Sequence, residues 1–146
     1  MDGKQAVDIL LVEDNPNDAE LTLRALKKSK IASTIIHVHD GEEALEYVFA
    51  RGRFEGRDIN SQPRLMLLDL KLPKIDGMQV LKAVKSDPRT KLMPVVILTT
   101  SKEENDILRS YELDANSYIV KPVDFDKFID AVKELGLYWL LLNVMP

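Results

Sequence analysis

The 146-residue chain predicts a single open α/β sheet of five parallel strands with helices wound on both faces. Three observations predict it: five short apolar runs, a helical apolar repeat after each of them, and helix-start signals at the junctions. The runs are DILLV at 8–12, TIIHV at 34–38, RLMLLD at 64–69, PVVIL at 94–98 and NSYIV at 116–120. The middle runs are continuously apolar, the pattern of strands covered from both sides.

Between the runs, Ala19, Leu23 and Leu26 fall on one helical face, as do Ala44, Leu45, Val48 and Phe49. Val80, Leu81 and Val84 follow, then Ile107, Leu108 and Tyr111, and last Phe125, Phe128, Ile129, Val132 and Leu135. Helix starts are marked by Asn15 before Pro16, Asp40 with Glu43, Ser101 with Glu104, and Asp124 soon after Pro122. Strict alternation with right-handed crossovers gives helices on both faces of a doubly wound sheet. The segment 50–63 is polar and Gly-containing and reads as an exposed loop without a chemical role. Gly136 is placed to end the fifth helix.

The chain is read as one domain, residues 1–146, with its core at about 7–135 and an apolar extension at 136–146. A second effector domain is not expected. The absence of cysteine excludes a disulfide framework and thiolate metal sites, and it suits a cytoplasmic protein. The N-terminus lacks the features of a signal peptide, and LYWLLLNVM is far short of the about 20 residues that cross a bilayer. With a net charge of −4 and scattered basic residues, binding to nucleic acid or to membrane is not expected. The tail LYWLLLNVM has two main readings: it folds back on its own core, or it extends the fifth helix into a dimer surface.

The polar residues stand at the strand ends. Glu13 and Asp14 close the first run, Asp69 the third, Thr99 the fourth and Lys121 the fifth. Open α/β sheets bind ligands at this edge, and a flavodoxin-like strand order 2-1-3-4-5 makes the first, third and fourth strands neighbours. Converging carboxylates repel, by about 4 kcal/mol for a pair about 4 Å apart at an effective dielectric of about 20, so a cation is implied. Oxygen donors without His or Cys favour a hard ion, and Mg²⁺ suits a site that also admits a phosphoryl group. The Lys121 ammonium and Thr99 hydroxyl would bind phosphoryl oxygens beside a carboxylate nucleophile. His37 and His39 alternate on a strand, yet no third metal ligand is near in sequence, and a structural role is expected for both.

On LLVEDNPND, LMLLDLKLPKIDG, PVVILTTS and YIVKP, in that order, the chain resembles the receiver domain of two-component response regulators over about residues 7–135. The long loop, LTTSKEE and the tail resemble stand-alone regulators that serve cyanobacterial phytochrome kinases. The resemblance implies that Asp69 accepts a phosphoryl group from a kinase phosphohistidine. Asp14, Asp69 and the Lys71 carbonyl would hold Mg²⁺, with Glu13 acting through metal-bound water. It further implies that Lys121 pairs with the phosphoryl group, that the bond to Pro122 is cis, and that Thr99 and Tyr118 switch the surface of the fourth helix, fifth strand and fifth helix. The expected partners are a sensor histidine kinase, phytochrome-type in the narrower resemblance, and a second copy of the chain through the fourth and fifth helices and the tail. The protein would be a phosphoacceptor and not a turnover enzyme.

Three points vary from the common pattern: Glu13 precedes Asp14 where many members have Asp, Lys71 stands two residues after Asp69, and Thr100 is β-branched where Ala is frequent. The rival in another class is a receiver-like interaction module that works without phosphorylation. A mononucleotide carrier is disfavoured because VEDNPND is acidic, and a dehalogenase-like phosphatase because Lys71 stands where a second Asp is needed.

Overall fold

Apolar residues in unbroken runs form buried parallel strands because both faces of such a sheet are covered by the crossover helices. A computed structural model of the chain describes residues 7–29, 34–100 and 104–136. In chain order the elements are β1 (Ile9–Val12), α1 (Pro16–Ser29), β2 (Ile35–Val38), α2 (Gly41–Val48), a 3-10 turn (Gly52–Phe54), β3 (Leu65–Asp69), α3 (Gly77–Ser86), β4 (Val95–Thr99), α4 (Glu104–Glu112), β5 (Ser117–Val120) and α5 (Phe125–Glu134). The strands are parallel in the order β2-β1-β3-β4-β5, the flavodoxin-like arrangement expected.

The alternation of side chains along the strands divides the core in two. Leu10, Val12, Met66, Leu68 and Ile97 face one way and pack with Ala44, Val48, Val80, Leu81 and Val84 of α2 and α3. Ile9, Leu11, Leu65, Leu67, Val96, Leu98 and Ile119 face the other way and pack with Ala25 and Leu26 of α1 and Phe128 and Val132 of α5. Each of the larger apolar side chains contributes about 1.5–3 kcal/mol by leaving water. Central strands built this way give the polar residues at their ends a rigid base.

The capping signals explain where most helices begin. The Asn15 side chain accepts the N–H groups of Asn17 and Asp18, Asp40 that of Glu43 at 2.7 Å, and Asp124 that of Lys127 at 2.8 Å. Asp76 and Gln79 form a reciprocal capping box at the start of α3. Ser101 lies outside the described residues. Gly136 closes α5 with φ 69 and an N–H bonded to Lys133, as its position suggested. Both readings of the tail concern residues 137–146, which also lie outside the described residues.

One residue differs from expectation, and the loop at 50–63, exposed as expected, has anchors that the sequence does not display. Tyr111, placed by periodicity on a buried face, is exposed and meets Tyr118 edge to face, with centroids 6.4 Å apart. Residues 50–63 are anchored: Arg57 donates to the carbonyls of Tyr47 and Ser61, Gln62 to that of Val48, and the Phe54 ring packs edge-on against Tyr47 at 4.9 Å. Periodicity does not register such contacts, because they run from loop side chains to helix carbonyls.

Candidate functional site

The strand alternation that sorts the core also aims the site. Glu13 follows Leu11 by two, Asp69 follows Leu67 by two and Lys121 follows Ile119 by two, so all three continue the face that looks toward α1 and α5. Register brings them level, since Val12 pairs with Leu68 and Asp69 with Leu98, and the Lys121 N–H donates to the Thr99 carbonyl at 2.7 Å. The Lys121–Pro122 peptide bond is cis, as the resemblance implied.

Lys121 is the centre of the arrangement. Its Nζ lies 2.7 Å from Glu13 Oε1, 3.1 Å from Asp69 Oδ2 and 3.1 Å from Asp18 Oδ2. Its side chain is only 7% exposed, so the ammonium works in a site where charge is poorly screened. Burial alone would lower the lysine pKa, but hydrogen bonding and attraction from Glu13 and Asp69 outweigh it and raise the pKa above the ordinary value.

Glu13 shows the opposite stress. Burial, reinforced by Asp69 and opposed by Lys121, raises the Glu13 carboxyl to about 7. One oxygen from each of Glu13, Asp14 and Asp69 lies within 4.8 Å of the others, a spacing a single cation can bridge. Glu13 Oε1 is buried and meets the Lys121 ammonium at 2.7 Å with no other donor among the described residues, so it has a lone pair left for a metal-bound donor. An all-oxygen set with an unsatisfied carboxylate atom fits a hard divalent ion.

Asp69 is positioned from both sides. Its Oδ1 accepts the N–H of Lys71 at 3.1 Å while Oδ2 accepts from Lys121. A cavity of about 190 Å³ opens over it, lined by Asp14, Asn15, Asp18, Leu70, Lys71, Thr99, Thr100 and Lys121. The six predicted residues Glu13, Asp14, Asp69, Lys71, Thr99 and Lys121 thus meet at one edge of the sheet. Tyr118 does not join them: it stands exposed on β5, against Tyr111.

Asp18 was missed. It is the third residue of α1, and only its position one helical turn beyond Asp14 hinted that it returns to the strand ends. The rings of His37 and His39 lie 4.3 Å apart, and each has a partner of its own. His37 Nε2 donates to the Glu13 carbonyl at 2.8 Å, and His39 Nδ1 faces Glu43 Oε1 at 3.2 Å. His37 thereby braces the backbone that carries Glu13.

A parallel sheet in this order, with clustered carboxylates and a buried lysine at its C-terminal edge, is the arrangement of a receiver-type signalling domain. The chain belongs to the response regulator receiver domain family, whose model matches residues 9–133. It is 39% identical over 138 residues to response regulator Rcp1 of Synechocystis sp., covering 94% of this chain and 92% of that one. The Mn²⁺-bound form of Rcp1 matches with a TM-score of 0.76 and 38% identity over 96% of this chain and 99% of that chain. The bacteriophytochrome response regulator AtBRR matches with a TM-score of 0.85 and 48% identity over 97% of this chain and 100% of that chain. The phosphorylated cyanobacterial phytochrome response regulator RcpA matches with a TM-score of 0.77 and 40% identity over 97% of this chain and 99% of that chain. These are signalling proteins, and receiver domains of this kind place a divalent metal at an acidic pocket.

Proposed function

We propose that the protein is a phosphorylation switch in which Asp69 takes a phosphoryl group from the phosphohistidine of a sensor histidine kinase. The observation that carries this reading is Lys121 Nζ at 3.1 Å from Asp69 Oδ2, beside three carboxylate oxygens grouped within 4.8 Å. In the transfer, an Asp69 carboxylate oxygen bonds to phosphorus as the P–N bond to imidazole breaks, and the electron pair returns to the nitrogen. Asp14, Asp69 and the Lys71 carbonyl would hold Mg²⁺, with Glu13 accepting from its water. The ion supplies charge neutralisation between carboxylates and phosphoryl oxygens. Lys121 provides the second positive charge, and the Thr99 hydroxyl, which also lines the cavity, a donor.

The acyl phosphate adds a charge of about −1.5 to −2 and three strong acceptors. Thr99 turning toward them, with Tyr118 changing rotamer behind it, would carry the event to the surface of α4, β5 and α5. Tyr118 and Tyr111 already stand at that surface. The similarity to AtBRR, RcpA and Rcp1 supports a phytochrome-type kinase as partner and signalling by protein contact, as a stand-alone regulator in the cytoplasm. A homodimer through this face and the tail fits the same reading; a chain ending at Leu135 should elute as a monomer, and an unchanged elution volume would remove the tail from the interface.

The central experiment is incubation with Mg²⁺ and acetyl phosphate followed by intact-mass measurement. One added phosphoryl mass is expected, none without Mg²⁺, and none in Asp69→Asn. Labelling that persists in Asp69→Asn would overturn the assignment. The phosphorylation-independent reading is disfavoured by the complete set of Asp69, Thr99 and Lys121 in one cavity.

A further inference from the structure

The Asp18 carboxylate occupies Lys121 in the unphosphorylated protein. Lys121 Nζ donates to Asp18 Oδ2 and to Asp69 Oδ2, each at 3.1 Å, and touches Glu13 Oε1 at 2.7 Å. An ammonium has three N–H groups, and three carboxylates already surround this one. Incoming phosphoryl oxygens need a share of the same ammonium while Asp69 still holds its bond to it, so Glu13 or Asp18 must yield. Glu13 is fully buried and would be left without compensation. The Asp18 side chain is 29% exposed, and water can replace the lysine there. Asp18 is thus the partner that gives way.

Asp18 is also rigidly presented. It sits in the first turn of α1, and its N–H is held by the Asn15 side chain at 3.0 Å. The carboxylates that group for a cation are Glu13, Asp14 and Asp69, so Asp18 serves the lysine side of the cavity and not the metal side. On the reading that Asp69 is the phosphoacceptor, we propose that Asp18 is a positioning residue: it restrains Lys121 in the resting protein and thereby slows phosphoryl acceptance. The brake follows from competition. Lys121 reaches an incoming phosphoryl oxygen only after its bond to Asp18 is broken.

The test is the rate of labelling by acetyl phosphate, with Mg²⁺ titrated to its plateau for every variant. Asp18→Asn should speed labelling by about 3- to 10-fold, the range expected for releasing one partly solvated hydrogen bond. Asp18→Glu, which keeps the carboxylate on a longer arm, should restore the slow rate. Glu20→Gln removes a like charge from α1 without contact to Lys121 and should leave the rate unchanged; acceleration there would mean that Asp18 acts only as helix charge. In a Lys121→Met background the Asp18→Asn gain should disappear, and an equal gain would show that Asp18 repels the donor directly, overturning the proposal. If wild type labels at Asp69 and Asp18→Asn is no faster, the restraint is refuted while the phosphoacceptor reading stands. If wild type does not label at all, the phosphoacceptor reading itself fails.

Discussion

Gly77 lies against the main chain of Asp69: a Cβ on Gly77 would overlap the Asp69 carbonyl oxygen and crowd the Leu70 Cα, while the Gly77 N–H donates to the Leu70 carbonyl at 2.9 Å. The atoms that would collide are backbone on both sides and cannot rotate away. Gly77→Ala is therefore expected to displace the strand end that carries Asp69. Overpacking of this kind costs about 1–3 kcal/mol. Urea unfolding should show that loss, and labelling of Asp69 should fall at least several-fold in protein that remains folded. A variant with normal labelling would show that the loop yields without moving Asp69.

The carboxylate cluster makes a prediction whose sign reverses with metal. Without a cation, Glu13, Asp14 and Asp69 repel one another, so Asp14→Asn should stabilise the protein by about 1 kcal/mol, or roughly 3 °C in Tm. With Mg²⁺ at about 100 times its Kd, wild type should gain about 2.7 kcal/mol while Asp14→Asn gains little. Thermal melts with and without Mg²⁺ measure both. Destabilisation of the metal-free Asp14→Asn protein would show that Asp14 is structural and not part of a cation site.

The parts of this site that were legible in the sequence are those dictated by local pattern. Apolar runs placed every strand to within a residue, and strand ends then placed Glu13, Asp69, Thr99 and Lys121, because a parallel sheet aligns those ends in space. Asp18 was not legible for the converse reason. It lies in a helix, its partner Lys121 is 103 residues away, and an acidic residue in a first turn already has a sufficient explanation in the helix dipole. Tyr111 illustrates the same limit: an aromatic residue on a helix reads as core until the neighbouring edge strand is seen to leave it open to solvent. The role of Gly77 is also tertiary, since the backbone it must clear belongs to β3.

Lys85 ties together the end of the sheet opposite the site. Its Nζ donates to the carbonyls of Lys91 at 3.1 Å and Met93 at 2.7 Å and to Asn116 Oδ1 at 3.0 Å, and that oxygen also accepts the Val95 N–H. Burial lowers the lysine pKa, so the ammonium's place there depends on these acceptors. Lys85→Met fills similar space without donors and takes the donor from the Lys91 and Met93 carbonyls, while Asn116 Oδ1 keeps only the Val95 N–H. A loss of about 1–3 kcal/mol in urea unfolding is expected, with Asp69 labelling unchanged because β4 and β5 begin there and the site lies where they end. A parallel loss of labelling in folded protein would mean that the strand registers are set from this end.

Asp40 offers a stability contribution with a defined dependence on pH. It caps α2 by accepting the Glu43 N–H at 2.7 Å, and Lys74 Nζ lies 3.6 Å from its other oxygen. Burial would raise its pKa, but the hydrogen bond from Glu43 and the charge of Lys74 prevail and lower it below the ordinary value. A carboxylate with a depressed folded-state pKa stabilises the fold above the unfolded value of about 4 and loses that contribution as pH falls through the folded value. Asp40→Ala should therefore cost about 1 kcal/mol at pH near 7. The difference between the variant and wild type should shrink as the acid is protonated, at pH values below about 4. Urea titrations of both proteins across that range measure it, and a cost that stays constant into acid would show that the alanine acts through lost packing and not through the cap. Asp69 labelling at neutral pH should match wild type, since α2 contributes no side chain to the cavity lining.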